Sequence, residues 1–468
     1  MTQTPTVGGG SNGLNRTEVP AQRRRAWAER TDQVKAAATT EPGRLRIIGA
    51  VLALLVVAFG AVTAWQVSDR TTAAGSVLNH SGPLSADAAE IYRSLADADA
   101  TVAGGFLVGG QEPRSVTDRY DKDIDTAAEL ITHAAANTQG SAEASAQISS
   151  LNQQLPRYTK LVATAQANNR QGLPLGGAYL RFANEQMRKP GGLLDASKKL
   201  YEAESARLDN DYSGAKALPY ASWALGIVAL GGLVWAQRRH YRRTNRVFNR
   251  GMLAASAASA VVLLWLVVGH TVARTQLDNS DAHGAESMKV LNSARIAVLQ
   301  ARGDENLTLV ARGSGSAYDA TFQSGMETLA GKDPKGVGGE LAKALKLADN
   351  TAGRTPVDSA VKGVQAWRGR HDVARASDNN GDYATAVAEV IGGKDSKGKT
   401  VTETTGQCFD VVDTSLEKAV AQEQREFQQA AKNGHGALSL LPYGAAVLAV
   451  LAAAGAVFGI GRRLSEYR

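Results

Sequence analysis

Residues 218–237 read LPYASWALGIVALGGLVWAQ, residues 238–250 read RRHYRRTNRVFNR, and residues 251–273 read GMLAASAASAVVLLWLVVGHTVA. The two apolar runs contain no Asp, Glu, Lys or Arg, and each has the roughly 20 residues that a helix needs to cross a bilayer. The turn between them carries six arginines and no acidic residue. Since cytoplasmic loops are enriched in basic residues, this stretch predicts a transmembrane hairpin with a cytoplasmic tip.

Two further apolar runs, Ile47–Val67 and Ala437–Ile460, predict a first and a last transmembrane helix. The first run is longer than the about 7–15 apolar residues of a signal peptide, and it follows a long N-terminal tail. Arginines precede the first run and follow the last one. Both termini are therefore predicted to be cytoplasmic in a multi-pass protein of the cell membrane.

These flanks divide the chain into nine segments. We expect a disordered basic cytoplasmic tail (1–43), four transmembrane helices (44–67, 217–237, 251–273 and 437–460), a basic cytoplasmic loop (238–250), a cytoplasmic stub (461–468) and two extracytoplasmic segments (68–216 and 274–436).

Both extracytoplasmic segments have the apolar spacing of helices, and neither has the sustained alternation of strands. The predicted fold class is an all-α membrane protein, in which four transmembrane helices carry two extracytoplasmic antiparallel helical bundles. The apolar stripes that support it comprise Ile91, Leu95, Ala98, Val102 and Phe106 in the first segment and Ile296, Leu299, Leu307 and Val310 in the second. Helices are expected at about 115–137, 141–168, 337–349, 356–377 and 404–432.

The two halves of the chain carry similar text in the same order. Leu218-Pro219-Tyr220 at the second transmembrane helix recurs as Leu441-Pro442-Tyr443 at the fourth. At one common offset, Asp195 matches Asp410 and Tyr212 matches Phe427. The sequence therefore predicts a tandem duplication, with each copy built from a transmembrane helix, a bundle and a second transmembrane helix.

Composition and motifs exclude several functions. The net charge of +7 comes from arginines that cluster beside the apolar runs, so it does not predict nucleic-acid binding. Cys408 is the only cysteine, which excludes an intramolecular disulfide and a cysteine metal cluster. The H-E-x-x-H motif does not occur. Two stretches match the letters of a phosphate-binding loop (GKDSKGKT, 393–400) and of a nucleophile elbow (GGSNG, 9–13), but neither follows a predicted strand, as these motifs require. We predict a protein that is not an enzyme and that has no cofactor and no metal site.

The distribution of mass predicts a sensor or coupling subunit, because no cytoplasmic segment is long enough for an enzyme domain. Two sets of residues are candidate partner sites. A short segment between Gly/Pro breaks is a candidate extracytoplasmic docking site through Tyr179, Arg181 and Asn184, although an ordinary helix connection explains it equally well. The cytoplasmic candidates are the tip residues Arg238, Arg239, Arg242, Arg243, Arg246 and Arg250.

The chain resembles the GlnX-like family of actinobacterial four-span membrane proteins over about residues 44–468. The residues that carry this resemblance are the duplicated spans with Leu218-Pro219-Tyr220, the stretch NNRQGLPLGGAYLRFANEQM at residues 168–187, and Leu193-Leu194. Each extracytoplasmic segment also resembles the four-helix sensor modules of bacterial chemoreceptors. The resemblance implies a relay, in which a solute-binding lipoprotein outside senses an amino acid and the membrane protein passes this to a cytoplasmic serine/threonine kinase similar to protein kinase G.

Two other functions remain open at this point. The helical bundles would sense a small molecule directly, or the protein would be a scaffold of the cell envelope or of division. Homo-oligomerisation also stays open. A transporter is disfavoured, because the apolar runs contain no ionisable residue deep in the bilayer.

Overall fold

The computed structural model describes residues 41–109, 112–138, 141–244, 249–334 and 336–464. Helices make up nearly all of this part of the chain, so the predicted all-α class is confirmed. Four helices are long and apolar enough to cross a membrane. The chain divides into two compact units. We call residues up to Gln66, Pro219–Val267 and residues from Leu441 the membrane unit, and Val67–Leu218 with Val268–Leu440 the bundle unit.

The elements follow one another in this order: α1 (Glu41–Ser76), a π-helical segment (Val77–Ser81), α2 (Gly82–Val108), α3 (Arg114–Asn137), α4 (Ala142–Arg170), α5 (Leu175–Arg188), α6 (Leu193–Lys216), α7 (Tyr220–Thr244), α8 (Arg250–Asn279), a second π-helical segment (Ser280–Ala285), α9 (Glu286–Val310), α10 (Ser316–Ala330), α11 (Gly339–Leu347), α12 (Thr351–Asn379), α13 (Tyr383–Ile391), β1 (Gly393–Lys394), β2 (Thr400–Val401), α14 (Thr405–Ser439) and α15 (Leu441–Leu464).

The membrane unit has the apolar surface of a protein that faces lipid. Leu54, Leu264 and Phe458 are 70%, 65% and 77% exposed within the unit, which is the reverse of the surface of a water-soluble protein. Inside, residues from α1, α7, α8 and α15 share one apolar cluster. Small residues let these helices approach closely, since a Cβ built on Gly60 of α1 would lie 2.1 Å from the Cβ of Ala449 on α15.

The structure moves several predicted boundaries by a few residues. The predicted tail 1–43 lies outside the described residues up to residue 40, and α1 already includes positions 41–43. In the predicted loop 238–250, α7 continues to Thr244 because this basic stretch has no helix-breaking Gly or Pro, and residues 245–248 lie outside the described part. The predicted stub is helical to Leu464, and residues 465–468 are not described.

The bundle unit contains both of the segments that were predicted to be extracytoplasmic. Their buried side chains form a common apolar core, which includes Ile91 and Tyr158 of the first segment and Phe322 and Trp367 of the second. Helices α2 and α9 pack against each other and join the two halves. The two segments are therefore parts of one compact unit, because each buries its apolar surface against the other as well as within itself.

Most predicted helices of the bundle unit are present within a few residues. The apolar stripe of α2 is buried or half-buried at every predicted position. The elements that were not predicted are the two π-helical segments, the helix α10 and the short antiparallel hairpin of β1 and β2, which pairs Gly393 with Val401. The hairpin depends on backbone conformations that favour glycine, because Gly392 and Gly398 have φ angles of 89° and 80°.

Each half begins with a helix of the membrane unit that continues through a π-helical segment into its first bundle helix, although the second half has one more bundle helix and the β1–β2 hairpin. Tyr212 and Phe427, matched at the same offset in the sequence, form an edge-to-face ring pair with centroids 6.5 Å apart. The hydroxyl groups of Tyr212 and Ser280 are 2.6 Å apart, and that of Ser280 donates to the carbonyl oxygen of Phe427. This order supports the tandem duplication, which stays a prediction.

Candidate functional site

Helices α2 and α9 carry buried acidic residues at the middle of the bundle unit. Asp97 and Asp99 on α2 are 4% and 3% exposed, and Asp304 and Glu305 on α9 are 2% and 1% exposed. Burying a charge is costly unless it is paired and hydrogen-bonded. The partners of these four carboxylates come from the same helices and from neighbouring ones, and they fall into three networks.

The first network joins the two halves through Arg188 at the end of α5. Its guanidinium donates to Asp99 Oδ2 at 3.1 Å and also to Asp304, and Asn184 Nδ2 donates to the same Asp99 oxygen at 2.8 Å. Burial raises the pKa of Asp304 to about 6 and raises that of Asp99, while Arg188 opposes both shifts. Arg188 is thus an ionic bridge between α2 of the first half and α9 of the second.

The second network surrounds Asp97. Arg119 of α3 makes a two-pronged contact with Asp97 at 2.9–3.2 Å, and Arg93 contacts both Asp97 and Asp123. Burial, and then the neighbouring Asp97, raise the pKa of Asp123 to about 7. Arg119 also lies 3.7 Å from Asp413 of α14, so this network reaches the second half as well.

The third network lies within the second half, around Glu305. Its carboxylate contacts Nδ1 of His371 at 3.0 Å and accepts from Trp367 Nε1 at 3.0 Å, while Arg302 contacts the other oxygen at 2.6 Å. Nε2 of His371 lies 3.0 Å from Asp319. Burial opposes protonation of this ring, but the two carboxylates raise the pKa of His371 to about 8. At neutral pH the imidazole ring is therefore protonated on both nitrogens and lies between the two carboxylates.

A cleft of about 630 Å³ opens beside these networks, and we call it the inter-half cleft because both halves line it. Its walls come from the C-terminal part of α2, the start of α3, Arg302 and Asn306 of α9, and the N-terminus of α14. A capping box between Thr404 and Gln407 fixes that N-terminus. The cleft has the size of a small-molecule site.

Asn306 is a polar side chain at the base of this cleft, and it is only 1% exposed. Its Nδ2 donates to the carbonyl oxygen of Ala100 at 3.1 Å. Its Oδ1 has no hydrogen-bond partner among the residues that the structure describes. Because a buried carbonyl-type oxygen without a donor is destabilising by about 1–3 kcal/mol, this atom needs an explanation.

The structure separates the three residues that were predicted to dock a partner. Tyr179 is half-buried and packs edge-to-face on Phe182, and Arg181 is exposed. Asn184 is buried and donates to Asp99, so it is not available to a docking partner. The prediction for Asn184 is corrected, because α5 turns this residue towards α2.

Exposed apolar side chains surround the two remaining docking candidates. Leu173, Leu175 and Phe182, which lie close to Tyr179 and Arg181 in the sequence, are 45%, 54% and 56% exposed. We call Leu173, Leu175, Tyr179, Arg181 and Phe182 the α5 patch. Large exposed apolar side chains grouped on one element are typical of protein–protein contacts.

The predicted cytoplasmic arginines lie on or beside the ends of α7 and α8. Arg238 and Arg242 on α7 and Arg250 at the start of α8 are exposed. Arg239 is half-buried, with its guanidinium 5.5 Å from the centre of the Trp235 ring. Arg243 is helical, with a side chain outside the described part, and Arg246 lies outside the described residues.

The polar centre of the bundle unit corresponds to no known sequence motif. Asp97 and Asp99 do face different partners, as their spacing of two predicts, but they are buried and not on a solvated face. The signal was the run Asp304-Glu305-Asn306, three polar residues in succession between Leu299 and Leu307 of the apolar stripe. Cys408 is half-buried, and burial raises the pKa of its thiol, which suits packing better than nucleophilic chemistry. Among the described residues, no group of His, Cys, Asp and Glu is arranged to hold a metal ion.

Comparison with known proteins adds one match. Residues 73–213 match the family model of an actinobacterial sensor domain. This stretch runs from the end of α1 into α6 and so covers the first half of the bundle unit. No curated protein and no solved structure matches the chain. The four apolar helices and the sensor domain together are those of a multi-pass membrane protein with a sensing role.

Proposed function

We propose that the protein is a non-enzymatic transmembrane signalling adaptor that reports an event at its bundle unit to a cytoplasmic partner. The observation that carries this proposal is the Arg188 bridge, which contacts Asp99 in the first half and Asp304 in the second. An event that reaches either half therefore acts on both. The match of residues 73–213 to a sensor domain supports the same function.

Helix continuity provides a route for the signal. Helices α1 and α8 each begin among residues of the membrane unit and end among residues of the bundle unit. Sensor proteins commonly transmit a signal by shifts of about 1–2 Å in such helices. In this proposal both chain termini and the basic loop are cytoplasmic, and the bundle unit is extracytoplasmic, as the basic flanks predict.

The finer form of the proposal is a relay between two partner proteins. A solute-binding lipoprotein that senses an amino acid docks on the bundle unit, and a cytoplasmic serine/threonine kinase receives the signal at the arginines of the basic loop. The resemblance to GlnX-like proteins suggests these partners. The α5 patch supports docking, because Leu175 and Phe182 expose apolar surface beside Arg181.

Co-purification tests the relay. The full chain is captured from membranes with and without added amino acids, and the solute-binding lipoprotein of the same organism is measured in the eluate. We expect association that changes with the amino acid and that is lost in Phe182→Ser and in Arg181→Glu. Absence of association in both conditions would exclude this partner.

Two variants of the second half are matched controls. Val373 is 55% exposed, close to the value for Phe182, and Arg354 is exposed like Arg181, but both lie on α12 away from the α5 patch. Val373→Ser and Arg354→Glu should leave the association unchanged. If they weaken it as much as the α5 variants, the docking surface is elsewhere.

Direct sensing by the helical bundles is the second candidate, and the inter-half cleft favours it. In this case a small molecule stabilises the purified chain without any partner protein. A ligand-dependent rise in the unfolding temperature of the isolated protein would separate this candidate from the relay.

A further inference from the structure

We propose that the inter-half cleft is a binding site for a small uncharged solute with several hydroxyl groups, of the sugar or polyol class. This inference deepens the direct-sensing candidate and rests on the proposed sensing function for its biological role. The binding itself follows from the cleft, from one unpaired buried oxygen, and from the balance of charge around it.

The unpaired oxygen of Asn306 can accept a hydrogen bond from a bound ligand. Asn306 Oδ1 is buried at the cleft and accepts no hydrogen bond from any described residue, while the amide nitrogen of the same side chain is occupied by Ala100. A ligand hydroxyl or N–H group that donates to this oxygen would remove the cost of burying it. This atom distinguishes the cleft from an apolar gap between helices.

The charges that line the cleft are largely balanced by one another. Arg119 is held by Asp97, and Arg302 is held by Glu305 at 2.6 Å. Both guanidiniums also lie 5.7 Å from the centre of the Phe409 ring, on which they pack. Because the charged residues of the lining are two arginines and two aspartates, Asp97 and Asp410, a ligand with a net charge of either sign would meet like charges as well as opposite ones.

The remaining lining suits hydroxyl groups with an apolar carbon frame. Hydroxyl and amide side chains of both halves can donate or accept, and a ligand hydroxyl does both with one atom. Aliphatic side chains between them would contact the C–H groups of such a ligand. The polar groups in question are Thr101, Ser115, Thr402, Thr404 and Gln407, and the apolar ones are Val108, Val116, Ile391 and Val401.

The test measures binding of defined probes to the full chain in lipid nanodiscs, because maltoside detergents carry sugar headgroups that would compete. The probes are glucose, myo-inositol, mannitol and trehalose, followed by saturation-transfer NMR and titration calorimetry. Glucosamine and glucuronate are the charged counterparts of glucose. We expect saturable binding of at least one neutral probe, and binding of glucosamine and glucuronate that is at least about tenfold weaker than that of this probe.

Two cleft variants and one control complete the test. Asn306→Leu should weaken binding about three- to tenfold, the effect of one hydrogen bond. Ser115→Trp places a large side chain at an exposed position of the cleft wall and should abolish binding, which keeps the test decisive if Asn306→Leu fails to fold. Asn152→Leu, on an exposed face of α4, should bind as the unmodified chain does.

The outcomes are distinct. No saturable binding of any neutral probe, or tighter binding of a charged counterpart, overturns the assigned ligand class. Binding that survives Ser115→Trp places the site elsewhere and overturns the assignment of the cleft. Failure of the lipoprotein to co-purify would count against the relay and leave these binding results intact.

Discussion

Replacing Arg188 with Met would show whether the ionic bridge holds the two halves of the bundle unit together. The substitution keeps most of the side-chain volume but removes the charge that Asp99 and Asp304 share. Removing one partner of a buried ion pair costs about 3–5 kcal/mol. A fifth of the Arg188 side chain is exposed, so we expect about 3 kcal/mol at pH 8, the lower end of that range.

The destabilisation caused by Arg188→Met should depend on pH. Burial raises the pKa of Asp304 to about 6 and Arg188 opposes this, so the variant should raise the pKa of Asp304 and of Asp99 further. A carboxyl group whose folded pKa is raised binds its proton more tightly in the folded state, so its cost is present above that pKa and disappears as the pH falls. The difference between variant and unmodified chain should therefore shrink between pH 8 and pH 5.

Denaturant unfolding of the full chain in nanodiscs, followed by circular dichroism at both pH values, measures this difference. Arg354→Met is the control, because Arg354 is 58% exposed and lies 3.8 Å from Asp358, a surface pair whose loss should cost less than about 0.5 kcal/mol. A change below about 1 kcal/mol for Arg188→Met at pH 8, or a difference that does not vary with pH, would refute the bridge.

Three further predictions concern other parts of the chain. The raised pKa of His371, about 8, stabilises the fold below pH 6.5 by about 2 kcal/mol, and this stabilisation is lost as the pH rises through 8. The free energy of unfolding of His371→Asn should therefore lack this dependence on pH, and that of the exposed-ring control His133→Asn should keep it. Gly60→Leu should lower the stability of the membrane unit by about 1–3 kcal/mol in thermal unfolding, because its Cβ meets Ala449, whereas Gly231→Leu, with open space around it, should not. Replacing Arg238, Arg239, Arg242 and Arg243 of the basic loop with glutamine should weaken kinase recruitment in a pull-down. A cysteine-accessibility assay should show an unchanged topology. An inverted topology would mean that these arginines are topology signals alone.

The sequence alone predicts those parts of the fold that depend on whether a helix face contacts lipid, water or the protein interior. A lipid-facing helix must be apolar over a fixed length, so all four apolar runs could be located from composition alone. The stripe that includes Ile91 and Leu95 likewise identified the buried face of α2. These patterns repeat at a fixed spacing, and spacing is what a sequence shows directly.

The candidate site could not be located in this way. The partners of Asp99 are Asn184 and Arg188, which lie 85 and 89 residues further along the chain. Spacing carries no information about partners that meet only after α5 packs on α2. For the same reason Asn184 was assigned to a docking surface, since nothing in the sequence near it shows that its side chain meets Asp99.

Phe427 fills space that glycines of both halves leave free. A Cβ on Gly82 would lie 2.7 Å from the ring of Phe427, and a Cβ on Gly284 would lie 2.8 Å from its Cβ. One side chain thus completes the packing of two segments about 200 residues apart. The halves are consequently not autonomous modules: separate expression of residues before and after the basic loop should give two insoluble or degraded fragments, and co-expression should restore a stable complex by fragment complementation.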